Sequence, residues 1–297
     1  MTTPLVVKIG GELLETEAQR ASAAATLAGL SSRLPLVLVH GGGRAIDAAL
    51  AQYAIRPKKV DGLRITDELT RDVVVSVLAG SANTALVAAL VGVGVRAVGL
   101  TGVDAGFAPA IRTRGYRAST GAVVDLGFVG DPVDAEPALL DLLTAGGYVP
   151  VVASLSIDNG VVLNVNADVM AARIAAALRS SELVIAGGTA GVLDGDGQTI
   201  PTLDLEGIDR LIASGKATAG MIAKLDACRA ALSQGVPRVR IVDGRTWLAG
   251  GAASGTTVSF AESASASTAG APSETSAAPQ PEAAEASAAF EQKRRLG

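Results

Sequence analysis

Short apolar runs that end on glycines set the rhythm of this chain. Leu5 to Ile9 runs into Gly10-Gly11, Leu36 to Val39 into His40-Gly41-Gly42-Gly43, and Leu183 to Ala186 into Gly187-Gly188. Such runs, closed by turn residues, predict buried strands. Val95 to Leu100, Tyr148 to Ala153 and Val239 to Val242 repeat the pattern. Between them the apolar positions recur at helical spacing. Ile46 and Leu50 share a face within Arg44 to Tyr53, and Leu69, Val73 and Val77 lead into an apolar helix over Ala85 to Val91. Further helices are predicted over Met170 to Leu178 and near 205–214 and 219–233. Asp134 is placed to cap a helix carrying Leu139, Leu140, Leu142 and Leu143, which stops at Gly146-Gly147.

Three stretches break this alternation. Asp158-Asn159-Gly160 between β-prone runs is a strong hairpin signal. Ile111 to Val129, rich in Arg, Gly and Val, predicts a longer hairpin, and Asp194 to Gly197 a third. Strands alternating with helices predict an α/β fold with a mainly parallel central sheet covered on both faces.

Composition sharpens the picture. Aromatics make up 3% of the 297 residues, so the core must be Val, Leu, Ile and Ala, which suits buried parallel strands. No apolar run reaches bilayer length, and the first residues lack a signal peptide's basic end and apolar centre, so a cytoplasmic location is expected. The single cysteine, Cys228, reads as core filling. With 25 Lys and Arg against 29 Asp and Glu, the net charge of -4 argues against nucleic-acid or membrane partners. One histidine, His40, is too few for a His-rich zinc site and makes a Ser-His-Asp hydrolase hard to build. After about Phe260 the composition collapses to Ala, Ser, Glu, Pro and Thr, and residues 261–297 read as a disordered tail.

In an open α/β sheet, ligands bind beyond the carboxyl ends of the strands, where glycine lets the backbone approach an anion. Three glycine-rich strand ends therefore favour phosphate or oxyanion contact over plain turns. No P-loop pattern is present, and Gly215-Lys216-Ala217 is a near miss. Lys8 lies inside an apolar strand, where an unpaired ammonium is costly, so it must meet an anion. Lys224 falls in the second turn of a predicted helix, where exposure is the default. In Asn164-Val165-Asn166-Ala167-Asp168 strand alternation would send the three polar side chains to one side, with helix capping by Asn166 or Asp168 as the simpler role. Arg64, in Gly62-Leu63-Arg64-Ile65-Thr66, could fork onto a substrate carboxylate.

These pieces, in this order, resemble the amino-acid kinase family and within it the N-acetylglutamate kinases. The likeness rests on Val7-Lys8-Ile9-Gly10-Gly11, Val39-His40-Gly41-Gly42-Gly43, Gly62-Leu63-Arg64-Ile65-Thr66-Asp67, Leu126-Gly127-Phe128-Val129-Gly130, Asn164-Val165-Asn166-Ala167-Asp168 and Gly220-Met221-Ile222-Ala223-Lys224, and covers about residues 4 to 260. The resemblance implies a three-layer αβα sandwich, commonly a homodimer or higher homo-oligomer. It implies an N-terminal lobe (1–179) for the amino-acid substrate and a C-terminal lobe (180–260) for ATP with Mg²⁺ carried on the nucleotide phosphates. The reaction implied is phosphorylation of the side-chain carboxylate of N-acetylglutamate, in arginine biosynthesis.

By the same resemblance Lys8 and Lys224 stabilise the transferring phosphoryl group and Asp168 orients both. Gly10 and Gly11 border the phosphates, while Gly11, Gly42 and Gly43 supply N–H donors. Arg64, Asn164 and Asn166 would hold the substrate, bordered by Gly42 and Gly43, and the 110–130 hairpin would be a lid. A carboxylate acceptor is already ionised at neutral pH, so no general base is needed, which suits a chain with one histidine.

This chain departs from the family where members commonly carry Ser/Thr-Asp-Val after the 183–186 strand. Here Gly187-Gly188-Thr189 stands instead, which removes an aspartate that helps hold the nucleotide. The Trp247 to Ala253 stretch is also short. Arginine-inhibited members carry an additional N-terminal helix, and inhibition by that route is not expected with Lys8 so near the chain start. Two alternatives stay open: a related kinase acting on a carrier-linked glutamate or aminoadipate, and a ligand-binding regulatory protein without turnover.

Overall fold

The computed structural model describes residues 3–215, 217–251 and 254–260, without the side chain of Ala219. The expected tail from 261 and Lys216 of the near-miss phosphate loop lie outside the described residues. The strands are β1 (Leu5–Ile9), β2 (Leu36–His40), β3 (Lys59–Val60), β4 (Leu63–Arg64), β5 (Ala97–Thr101), β6 (Ala110–Arg112), β7 (Tyr116–Arg117), β8 (Val123–Val124), β9 (Val129–Pro132), β10 (Val149–Ala153), β11 (Leu155–Asp158), β12 (Val161–Val165), β13 (Leu183–Gly187), β14 (Thr202–Leu203), β15 (Arg238–Asp243) and β16 (Gly255–Ser259). The α-helices are α1 (Glu17–Ser31), α2 (Gly43–Gln52), α3 (Glu68–Val75), α4 (Asn83–Gly92), α5 (Ala138–Ala145), α6 (Ala167–Ala177), α7 (Leu205–Ala213), α8 (Ala219–Ser233) and α9 (Gly244–Leu248).

Among the described residues the main sheet runs β14-β16-β15-β13-β1-β2-β10-β5. Its pairs are parallel except β15 with β16. The expected mainly parallel sheet is therefore present. β1, β2, β10 and β13 are buried at every position, the signature of strands covered on both faces. One apolar cluster joins the sheet to α6 and α8 through Val6, Val39, Ile185, Met170 and Leu225. A second, with Val7, Leu38 and Val184, joins it to α1 and α4. Cys228 sits in the first cluster, fully buried, and burial pushes its thiol up.

Local sequence fixes the ends of these elements. Thr16 opens α1 with a reciprocal capping box to Gln19, and Asp204 and Thr218 cap α7 and α8. Asn159 and Gly160 both take positive φ, 47° and 82°, and close the predicted hairpin between β11 and β12. The longer hairpin is also present as two nested pairs, β6 with β9 and β7 with β8.

Three expectations need correction. Asp134 does not cap α5: Pro137 holds the N-cap position without a side-chain bond, and Asp134 pairs with Arg173 at 3.3 Å. Leu69, Val73 and Val77 do recur along one helix, with Val73 and Val77 buried and Leu69, in its first turn, 61% exposed. The strand period of two does not extend to Asp168, because α6 already begins at Ala167. Finally, α3, a π-helical stretch Ser76–Ala82 and α4 form one helix, Glu68–Gly92, of 25 residues, whose most apolar 18-residue window has a mean hydropathy of 2.0. By length and composition it could cross a membrane, although the sequence shows no unbroken apolar run because Asp72, Ser76, Ser81 and Asn83 interrupt it. It packs on α1, α2, β5 and β10, as a core helix does.

Candidate active site

The sheet changes winding direction at its centre. From β1 the chain passes through α1 to β2 on one side, while β13 pairs on the other and leads outward to β15. A crevice opens at the carboxyl ends of such neighbours. Here it is walled by Gly10-Gly11 after β1 and Gly41-Gly42-Gly43 after β2, with Gly187-Gly188 at the end of the neighbouring β13. The first two turns touch closely: a methyl on Gly11 would lie 2.7 Å from the Gly42 Cα, and one on Gly42 would lie 2.8 Å from the Leu78 Cδ2. Only glycine fits this approach.

A cleft of about 410 Å³ lies there. Larger hollows of about 530 and 690 Å³ exist elsewhere, but neither is lined by any residue singled out for chemistry in the sequence. The smaller cleft gathers ten of them, Lys8, Lys224 and Asp168, Gly10, Gly11, Gly42 and Gly43, and Arg64, Asn164 and Asn166, while Gly187 and Gly188 lie outside its lining.

Asp168, in the first turn of α6, stands between the two lysines. Lys8 Nζ lies 2.8 Å from its Oδ1 and Lys224 Nζ 3.4 Å from its Oδ2. Burial opposes ionisation of this carboxyl, but the two ammonium groups outweigh it and hold it below the usual carboxylate range. The anion demanded by Lys8 is thus Asp168, and Lys224 is drawn inward rather than exposed. Asn166 caps α6, accepting from the N–H groups of Asp168 and Val169, so its carbonyl oxygen faces the helix. Asn164, on β12, donates to the Thr66 hydroxyl at 3.3 Å.

Arg64 is buried opposite the lysine pair. Its Nη2 lies 2.5 Å from Asp47 Oδ1 and donates to the Gly43 carbonyl at 3.1 Å. Its Nη1 is buried without a hydrogen-bond partner among the described residues, so it retains a donor for an incoming anion. Asp47 also takes Lys59 at 2.8 Å. Asp47, Lys59 and Glu12 were not singled out in the sequence. Asp47 looks like the polar face of an amphipathic helix, and only the tertiary pairing reveals it. Among the described residues no group of three or more His, Cys, Asp or Glu gathers to hold a metal.

His40 supports the glycine turn from behind. The Asn83 amide donates to Val151 O at 2.8 Å and to His40 Nε2 at 3.0 Å, which leaves the proton on Nδ1, donating to Gly41 O at 3.1 Å. Burial lowers its pKa to about 4, against a smaller opposing effect of the Gly41 bond. It is neutral at neutral pH and lies outside the cleft lining.

The profile of the amino acid kinase family matches residues 3–243. This chain belongs to the amino-acid kinase family. Among relatives, the acetylglutamate kinase of Chloroflexus aurantiacus is 40% identical over 245 residues, covering 82% of this chain and 93% of that one. That of Sphingopyxis alaskensis is 41% identical over 246 residues, covering 81% and 82%. Among solved structures, N-acetylglutamate synthase from Neisseria gonorrhoeae, complexed with coenzyme A and N-acetyl-glutamate, superposes with a TM-score of 0.73 at 26% identity. The match takes in 88% of this chain and 60% of that longer one. Family membership makes the chain a kinase-fold enzyme and agrees with the αβα architecture.

Proposed function

We propose that this enzyme transfers the γ-phosphoryl group of ATP to the side-chain carboxylate of N-acetyl-L-glutamate, giving N-acetyl-L-glutamyl 5-phosphate for arginine biosynthesis. The observation that carries the reading is the ionised Asp168 held between Lys8 and Lys224 in a glycine-walled cleft, with a half-satisfied arginine facing it. The acetylglutamate kinases matched at 40% and 41% identity support the choice of acceptor.

In this reading the acceptor carboxylate is the nucleophile. Its oxygen forms a bond to the γ-phosphorus while the bond to the β,γ-bridging oxygen breaks, and ADP leaves. Lys8 and Lys224 neutralise charge that gathers on the phosphoryl oxygens and leaving group, and Asp168 keeps both ammonium groups aimed. The N–H groups of Gly11, Gly42 and Gly43 serve the equatorial oxygens, with Gly10 at their margin. Arg64 and Asn164 hold the substrate's carboxylates, and Asn166 fixes the strand-to-helix turn that presents Asp168. No proton is removed in the step, so no general base is needed.

The same reading divides the chain functionally: residues 1–179 hold the acceptor and residues 180–260 the nucleotide, with β6 to β9 as the lid. A divalent cation, Mg²⁺, would arrive on the nucleotide's phosphates. A homodimer or larger homo-oligomer and a cytoplasmic location belong to it as well. The test is ADP release with N-acetylglutamate, ATP and Mg²⁺, with hydroxylamine trapping the acyl phosphate. Hydroxamate matching ADP for N-acetylglutamate alone is expected. Turnover restricted to carrier-linked glutamate or aminoadipate would replace the acceptor, and ligand binding without any ADP release would remove the catalytic reading.

A further inference from the structure

Glu12 follows the Gly10-Gly11 turn directly, and its carboxylate folds back over that turn. A methyl on Gly10 would collide with it. Its Oε1 accepts the backbone N–H of Gly188 at 3.1 Å, across to the end of β13. The same oxygen lies 3.9 Å from the position a methyl on Gly187 would take, a position 3.5 Å from Lys224 Cε. Glu12 also lines the cleft that holds Lys8, Asp168 and Lys224. A carboxylate therefore sits between two glycine turns, satisfying a backbone donor of the kind that binds a phosphate. Where the resemblance leads to Ser/Thr-Asp-Val, this chain has Gly187-Gly188-Thr189, and the Gly188 N–H is already engaged by Glu12.

We propose that Glu12 is the resting occupant of the nucleotide-phosphate cradle, an internal anion that competes with the terminal phosphates and sets nucleotide affinity. This rests on the nucleotide-dependent reading above. Entry of ATP requires the Glu12 side chain to leave Gly188 and swing toward solvent, since two anions cannot share one donor set. Its return after transfer helps expel ADP. Glu12 therefore weakens nucleotide binding and speeds product release, the reverse of a residue that grips the phosphates.

The experiment is calorimetric titration of the full chain and of Glu12→Gln and Glu12→Ala with ATP, ADP and adenosine. The loss of one charge-assisted hydrogen bond between Glu12 and Gly188 predicts ATP and ADP binding about tenfold tighter in the alanine variant. A smaller gain is expected in the glutamine variant, which keeps the acceptor without the charge. Adenosine, with no phosphate to compete, should bind all three alike. In turnover both KM for ATP and kcat should fall together if ADP release limits the rate. Unchanged or weaker ATP binding in both variants, with wild type binding ATP, overturns the role of Glu12 and leaves the kinase reading standing. If none of the three folded proteins binds any adenine nucleotide, both fail.

Discussion

The chain's single histidine makes one pH effect separable from all others. His40 is fully buried, with Nε2 receiving the Asn83 amide and Nδ1–H given to Gly41, and burial lowers its pKa from 6.5 to about 4. Protonation would give the ring a second N–H, at Nε2, facing the Asn83 donor. Between pH 6.5 and 4 the unfolded chain takes up a proton that the folded chain refuses, so stability must fall as pH falls. The contribution is complete above pH 6.5 and is lost progressively down to about pH 4. From pH 7.5 to pH 5 the loss is about 2 kcal/mol, from linkage with 1.36 kcal/mol per unit of pKa difference. Urea unfolding of wild type and His40→Gln across that range measures it, and carboxylate titrations cancel in the difference between them. The imidazole proton resonance, one per chain, reports the folded pKa directly. An identical pH slope in the two proteins, or a folded midpoint near 6.5, would refute the reasoning.

Other predictions concern the cleft and its cover. Lys8→Ala and Lys224→Ala should each lower kcat by about two orders of magnitude or more with the fold retained by circular dichroism. Asp168→Asn should do likewise, because it removes the charge that aims both lysines; near-normal kcat in any of the three excludes that residue from the mechanism. Gly11→Ala places a methyl 2.7 Å from the Gly42 Cα and should cost about 1–3 kcal/mol in urea unfolding as well as turnover, whereas an unperturbed variant would mean the two turns can part. Asp61 holds the β7–β8 ribbon by accepting from Tyr116 Oη, the Ser119 hydroxyl and the Ser119 N–H, with the Ser119 bonds lowering its pKa most. Asp61→Asn should raise KM for the acceptor roughly threefold to tenfold while kcat changes less, and an unaltered KM would separate the ribbon from substrate capture.

The strands were legible because a strand covered on both faces is nearly all apolar, as β1, β2 and β13 are apart from Lys8 and His40. Lys8 stood out for the same reason: it is the one charge in such a run, and its partner Asp168 could be demanded before it was located. Asn159-Gly160 was legible because its backbone conformation suits few other residues. Asp134 misled because a carboxylate before a leucine-rich run looks like a cap, whereas Pro137 sits closer to the helix and Arg173 offers Asp134 an ion pair. Asp47, Asn83 and Glu12 were not legible, since their meaning lies in contacts far along the chain. The bond from Gly188 to Glu12 spans 176 residues, and no local pattern encodes it. The gathering of ten sequence-selected residues around one cleft was legible only through motif order, because separate loops carry them.

The π-helical stretch Ser76–Ala82 gives the long helix a reading frame. An α-helix turns about 100° per residue, and the wider π turn absorbs an additional residue. That additional residue sets the angular offset between Val73 and Val77, which face one apolar cluster, and Leu86 and Leu90, which face another. Leu78 within the stretch presses on Gly42, and Asn83 just beyond it reaches His40 and Val151. Removing one residue here would leave the helix regular, yet swing everything after it by about 100° and take Asn83 away from the histidine. In this segment the count of residues matters more to the glycine turn than the identity of most of them.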